Sequence, residues 1–200
     1  MSNQGTPEWL AERAGRVTAS MISNVIMKPE TAGYRDYLSQ IVAEMLTGKP
    51  QGSDYTNAYM AYGTETEPLA RSAYEVATDS VVDEVGFCEH PTIKQSGASP
   101  DGLVGDAGLV EIKCPKVSTH LSYLLAGVAP AQYRNQMMWQ MACTGRDWCD
   151  FASFRPDLPE HLQLFVVRFY REPARISELE VAVVAFLDAA VLMVDKLKKV

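Results

Sequence analysis

The sequence predicts an α/β fold, a central mixed β-sheet flanked by helices. Three observations lead there. The chain has 200 residues, 47% hydrophobic and 22% charged, enough to bury one core and too few for two comfortable domains. Both ends carry apolar residues at helical spacing. Between them, around residues 80–114 and 148–170, β-branched and aromatic residues gather in short runs bounded by Gly and Pro, as strands do.

The elements follow in order. Thr6-Pro7-Glu8 opens a short helix, with Thr as N-cap and Pro at the first helical position. Thr18 or Ser20 opens a second, running through Val25. A third fits Tyr34 to Leu46, stopped by Gly48 and Pro50. A further helical stretch covers Ala58 to Val76, with a break expected at Gly63 and a fresh cap at Thr64. Strands are expected at Ser80–Cys88 and Thr92–Gln95, followed by a turn-rich segment from Ser96 to Gly102. Gly105-Asp106-Ala107-Gly108 reads as a hairpin turn into a strand, Leu109–Cys114, that Pro115 ends. Helices over Ser118–Ala126 and Pro130–Cys143 come next, then strands at Trp148–Phe154 and Leu162–Tyr170, and a final helix over Arg175–Lys199. The whole of residues 1–200 reads as one domain.

Composition narrows the function. The N-terminus lacks a secretory apolar region, and the longest apolar stretch, Val181–Val194, is interrupted by Asp188, so no membrane association is expected and a cytoplasmic location is. Cysteines at 88, 114, 143 and 149 and histidines at 90, 120 and 161 fall into no zinc-ligand or disulfide spacing. A net charge of -7 argues against a surface devoted to nucleic acid. Two things can offset it: metal-gathering carboxylates, and a basic channel inside an acidic exterior.

The candidate site lies in the strand Leu109–Cys114. Side chains alternate faces there, so Leu109, Glu111 and Lys113 share one side. Charged residues in a central strand are costly unless paired or metal-bound. Asp101 stands one short hairpin earlier, so its carboxylate can return beside Glu111. Two carboxylates offer hard oxygen ligands to one or two Mg²⁺ ions, and the Ile112 carbonyl can complete the set. Such ions polarise a phosphodiester and acidify a bound water. Lys113 would orient that water or help deprotonate it, and would offset charge in the transition state. The same residues also fit a solvated Glu-x-Lys pair and an Asp-Gly turn.

With these residues the chain resembles the PD-(D/E)xK nuclease superfamily, and within it the bacteriophage lambda exonuclease (Red alpha, YqaJ-type viral recombinase) family. Five blocks carry the likeness, in the family's order: Trp9-Leu-Ala-Glu-Arg13 with Val17-Thr-Ala-Ser20; Tyr62-Gly-Thr-Glu-Thr-Glu67; Ser99-Pro-Asp-Gly-Leu103; Leu109-Val-Glu-Ile-Lys-Cys-Pro115; and Tyr133-Arg-Asn-Gln136. The resemblance implies a Mg²⁺-dependent 5′-to-3′ exonuclease on linear double-stranded DNA, with Mn²⁺ able to substitute. It would release mononucleotides and leave 3′ single-stranded tails. It also implies a ring-shaped homotrimer and a single-strand annealing protein as partner.

Residue by residue, the resemblance makes Asp101 and Glu111 metal ligands, Ile112 the carbonyl ligand, Lys113 the catalytic lysine and Glu67 a further active-site acid. Arg13, Ser20, Ser99 and Gln136 fall on a pocket for the 5′-terminal phosphate, chemistry that guanidinium, hydroxyl and amide donors suit. Local roles compete at several positions. Thr64-x-x-Glu67 fits a capping box, Ser20 a helix cap, Ser99 a turn, Gln136 a polar helix position and Arg13 a solvated helix face. One position departs from the family: Glu30 stands where the lambda enzyme has a strand-guiding arginine, with Lys28 or Arg35 as nearby substitutes. The aromatic residues Trp139, Trp148, Phe151 and Phe154 are expected in the core. Two other readings remain open: a different nuclease of the same fold, such as an endonuclease or a Cas4/RecB-type enzyme, whose iron–sulfur cysteine spacing is not found here; and a non-catalytic DNA-binding or recombination scaffold.

Overall fold

The computed structural model describes residues 4–51 and 58–200, at 58–60 the main chain alone. Helix α1 (Pro7–Arg13) starts as expected: Thr6 is extended, its side chain accepts from Trp9 N–H, and Pro7 occupies the first turn. Strand β1 (Val17–Thr18) runs into a 3₁₀ turn (Ala19–Met21) and the short α2 (Ile22–Val25). Helix α3 (Ala32–Thr47) ends on Gly48 at φ +64, a left-handed position that glycine occupies without steric cost.

Helix α4 (Ala58–Thr78) differs from expectation. It is continuous through Gly63 and carries Pro68 inside it. Thr64 is therefore an interior helical residue, and the capping-box role for Glu67 is ruled out. The strands that follow also depart from the expected bounds. Ser80–Cys88 yields only β2 (Val82–Asp83) and the start of β3 (Cys88–Glu89), while Thr92–Gln95 lies in a turn. The supposed turn segment instead holds β4 (Ser96–Ala98) and the first residue of β5 (Gly102–Val104). Gly97 is the reason such a small, turn-like sequence is a strand. A Cβ there would come within 2.5 Å of the Cys88 carbonyl oxygen and nearer still to the Phe87 ring, so only glycine admits this close pairing.

Strand β6 (Gly108–Lys113) is followed by α5 (Val117–Ala126), α6 (Ala131–Thr144), β7 (Trp148–Phe154), β8 (Leu164–Tyr170) and α7 (Pro173–Leu197). Five strands form a mixed sheet in the order β2-β5-β6-β7-β8, with β6 and β7 parallel and the other pairs antiparallel. A smaller sheet, β1-β4-β3, sits beside it.

Strand β6 lies second from neither edge but in the middle, and alternation sends its side chains into two cores. Leu109 joins the large core built from α2, α3, α6 and α7, where Trp139, Phe151 and Phe186 are all but inaccessible. Val110 and Ile112 join a smaller core under α4, with Ala70, Tyr74 and Phe154. Trp139, Phe151 and Phe154 are thus core residues as expected. Trp148 is half-buried, with the Arg168 guanidinium 3.4 Å from its ring centre. Among the described residues no helix is long and apolar enough to cross a membrane.

Candidate active site

Antiparallel pairing of β5 with β6 stops at Gly102↔Val110. Beyond that point β6 has lost its neighbour on one side, and Ile112 N–H would be left unpaired. Asp101, just before β5, fills the gap: its Oδ2 accepts from Ile112 N–H at 2.7 Å. Within a strand, a residue's N–H and C=O project to the same side, so the Ile112 carbonyl faces Asp101 as well. The end of a short strand thereby gathers a carboxylate and a main-chain oxygen at one place.

Glu111 is 0% exposed, an extreme position for a carboxylate. It is satisfied by three donors. Gln136 Nε2 reaches Oε1 at 2.6 Å, Gln140 Nε2 holds Oε2, and Lys113 Nζ closes on Oε1 from two residues along the strand. Burial lowers the proton affinity of Lys113, yet the carboxylates of Glu111 and Asp101 outweigh it and hold the ammonium above its usual range. Asp101 moves the other way for a carboxyl: burial, then the nearby charge of Glu111, raise it well above the ordinary value. Glu67, on α4, is also raised by burial; Arg71 donates to it at 3.1 Å and opposes that shift.

The phosphate-pocket residues arrive from three other places. Trp9 and Arg13 share one face of α1 at i, i+4 spacing; the guanidinium stacks 3.9 Å from the ring centre, and Trp9 Nε1 donates to Ser99 Oγ at 2.9 Å. Gly15, at φ +70, turns the chain after α1, and its N–H donates to the buried Glu44 Oε2 at 2.7 Å, fixing α1 against α3. Burial lowers the Arg13 pKa, and among the described residues no carboxylate pairs with its guanidinium within 4 Å. A half-buried guanidinium with no carboxylate against it is suited to an anion.

These pieces meet. A pocket of about 180 Å³ is lined by Arg13, Ser20, Ser99, Gln136, Asp101, Glu111 and Lys113, together with Trp9 and Gln4. On the other side of Lys113 opens a cleft of about 690 Å³, bounded by Glu67, Ile112, Lys113 and Tyr133 among others. Every residue assigned a catalytic, metal-binding or phosphate-binding role from the sequence therefore lines one of two cavities that share Lys113. Glu30 and its possible substitutes Lys28 and Arg35 are exposed in and after the turn between α2 and α3.

The donor set suits a hard cation. Among the described residues no three of His, Cys, Asp and Glu form a ready-made cage. Two carboxylates and a carbonyl are instead hard oxygen donors of the kind a divalent cation that keeps several waters can take. Burial, then the neighbouring Glu111, raise Asp101, so a cation held between the two carboxyls would relieve both costs.

Sequence reasoning missed three participants. Gln140 is 0% exposed and holds Glu111; its i, i+4 spacing from Gln136 put both amides on one helix face and was a readable signal. Trp9 orients Arg13 and Ser99 at once. Gln4 donates to the Pro100 carbonyl at 2.7 Å, beside Asp101, a long-range contact that carries no local signature.

Comparison with known proteins places this geometry. Residues 8–147 match the YqaJ-like viral recombinase domain family. The chain is 45% identical to an alkaline exonuclease (LHK-Exo) from Laribacter hongkongensis, over 97% of both chains, with a TM-score of 0.91; that enzyme is also known in complex with dAMP. A phage-related exonuclease from Haemophilus somnus shares the fold at 16% identity, covering 91% of this chain and 96% of its own, with a TM-score of 0.72. An uncharacterized protein of Acanthamoeba polyphaga mimivirus is 26% identical over 176 residues, 82% of this chain; the match spans only 31% of that longer viral protein.

Proposed function

The chain belongs to the YqaJ-like viral recombinase family, and from that premise we propose that it is a Mg²⁺-dependent deoxyribonuclease digesting linear duplex DNA from 5′ ends. One observation carries the proposal: a single small pocket joins a half-buried guanidinium with no carboxylate against it to Asp101, the buried Glu111 and the lysine. An anion-binding wall facing a cation-binding wall is what a terminal phosphate and a scissile phosphate require. The Laribacter enzyme, named an alkaline exonuclease and known with a bound mononucleotide, supports release of mononucleotides. Residues 1–200 are read as one catalytic domain.

In this reading Arg13 grips the 5′-terminal phosphate by charge-assisted hydrogen bonds, while Ser20, Ser99 and Gln136 add neutral donors. Asp101, Glu111 and the Ile112 carbonyl would hold one or two Mg²⁺ ions, for which Mn²⁺ can substitute. A bound ion polarises the phosphodiester and lowers the pKa of the attacking water. Lys113 keeps its proton between two carboxylates, so its charge offsets the negative charge that builds on phosphorus. Glu67 stands at the wall of the larger cleft as the acid most open to solvent, suited to hold a water beside the others. The strand left behind would be a 3′ tail, the substrate for a single-strand annealing protein. A homotrimeric ring and a cytoplasmic location complete the proposal.

The test is digestion of end-labelled duplex in Mg²⁺. Release of mononucleotides from 5′ ends with the complementary strand left intact, and no attack on covalently closed circles, is expected. Nicking of closed circles would favour an endonuclease, and binding without turnover would favour a scaffold.

A further inference from the structure

Gln136 touches both halves of the site. Its Nε2 donates to Glu111 Oε1 at 2.6 Å, and its side chain helps wall the pocket that holds Arg13, Ser20 and Ser99. Lys113 Nζ meets that same Oε1. A carboxylate oxygen has two lone-pair sites, so Oε1 is fully occupied by these two donors. A cation approaching it must displace one of them.

The three donors to Glu111 are not equally free to leave. Gln140 is wholly buried, and its own Oε1 accepts from Cys149 Sγ at 3.8 Å while its Nε2 holds Glu111 Oε2. It is fixed at both ends. Lys113 extends from the same strand as Glu111, and two carboxylates attract it. Gln136 is only half-buried, and its amide gains a second acceptor whenever an anion sits against Arg13; Lys113 lines the same pocket but already has a second carboxylate, Asp101, drawing it.

Resting on the reading above, in which that anion is a 5′-terminal phosphate, we infer that Gln136 couples phosphate binding to metal binding. Its amide leaves Glu111 Oε1 for the phosphate and so opens a lone pair to the cation. Each ligand then tightens the other by the same factor, as linkage demands. A duplex end without a 5′-phosphate leaves the amide on Glu111 and the metal site underloaded. Gln136 thus acts as a positioning residue that makes the metal site answer to the chemistry of the DNA end.

Calorimetric titration of Mg²⁺ into the full chain bound to a blunt duplex with a non-cleavable terminal linkage tests this. Two duplexes are compared, one with a 5′-phosphate and one with a 5′-hydroxyl. In the wild type the phosphate should tighten Mg²⁺ about tenfold, within the range usual for coupled sites. In Gln136→Met, which keeps the length and loses the donor, Mg²⁺ should bind the 5′-hydroxyl complex at least as tightly as in the wild type. The phosphate effect should fall to about twofold, the remainder being direct attraction between phosphate and cation. Gln136→Ala should behave alike, which guards against a packing effect of the methionine.

A tenfold effect that persists in both variants would overturn the coupling, since the phosphate would then act through space. Discrimination between the two duplexes with unchanged Mg²⁺ affinity in the wild type would overturn the coupling and spare the pocket. Equal binding of both duplexes would overturn the pocket reading and the coupling together.

Discussion

Replacing Asp101 with Asn isolates what one carboxylate contributes to cation binding. Asparagine keeps an oxygen for the Ile112 N–H, now bound at 2.7 Å, and discards the charge. Without a cation, Asp101 is a costly ion, since burial and the Glu111 charge both favour its protonated form. The variant should therefore be as stable as the wild type in EDTA, or more so. With the cation the order changes. A ligand at about 100 times its Kd that binds only the folded chain stabilises it by about 2.7 kcal/mol. For a domain of this size each kcal/mol is worth roughly 2–4 °C, so Mg²⁺ should raise the wild-type Tm by about 5–11 °C. The gain in Asp101→Asn should be less than half of that. Scanning fluorimetry in EDTA and in Mg²⁺ gives both numbers for both proteins. A wild-type Tm indifferent to Mg²⁺, or a variant that keeps the whole gain, would refute the reasoning.

Two further predictions concern the pocket and the frame around it. Arg13→Ala removes the unpaired guanidinium over Trp9, and a hydrogen bond to a charged group is worth about 1.5–3 kcal/mol. The preference for 5′-phosphorylated over 5′-hydroxyl ends should drop by about 10–100-fold in digestion rate; an unchanged ratio would remove Arg13 from the pocket. Asp150→Ala acts on the far face of β7, where Asp150 accepts from Tyr74 Oη at 2.7 Å and from both prongs of Arg168 at 2.8 and 2.9 Å. Removing the carboxylate leaves the buried Tyr74 hydroxyl without its acceptor while the partly exposed Arg168 can turn to solvent, a cost of about 1–3 kcal/mol. Urea denaturation should record that loss, and one below about 1 kcal/mol would mean the network carries little of the fold's stability.

The sequence and the structure agree best where local chemistry and packing point the same way. The bounds of β7 are met in full, because Cys149, Phe151 and Ser153 alternate with Asp150, Ala152 and Phe154 between two cores, and Gly145 marks the turn before them. Helix α3 ends where Gly48 says it should. Disagreement arises where tertiary contact overrides propensity. Ser96–Ala98 reads as a turn and is a strand, since Phe87 and Cys88 press on Gly97 at its centre too closely for any other residue there. Gly63 reads as an interruption and is absorbed into α4, which also carries Pro68 inside it. That continuity removes the capping-box role for Glu67, because an interior helical Thr64 cannot cap. At the site, Glu111 and Lys113 were legible from strand alternation, and Asp101 from the hairpin that returns it. Trp9 and Gln4 were not, because they act through contacts 90 and 96 residues away.

The central claim, that Asp101, Glu111 and Lys113 form a metal-dependent phosphodiesterase centre, is tested most directly by one comparison. Lys113→Ala and the wild type are assayed side by side for Mg²⁺-dependent digestion of a linear 5′-phosphorylated duplex, with DNA affinity measured on the same samples. Loss of one preorganised charge at a transition state should slow digestion by at least about 10²-fold, with affinity changed little. Digestion at the wild-type rate by Lys113→Ala would contradict the assignment of this strand as the active site.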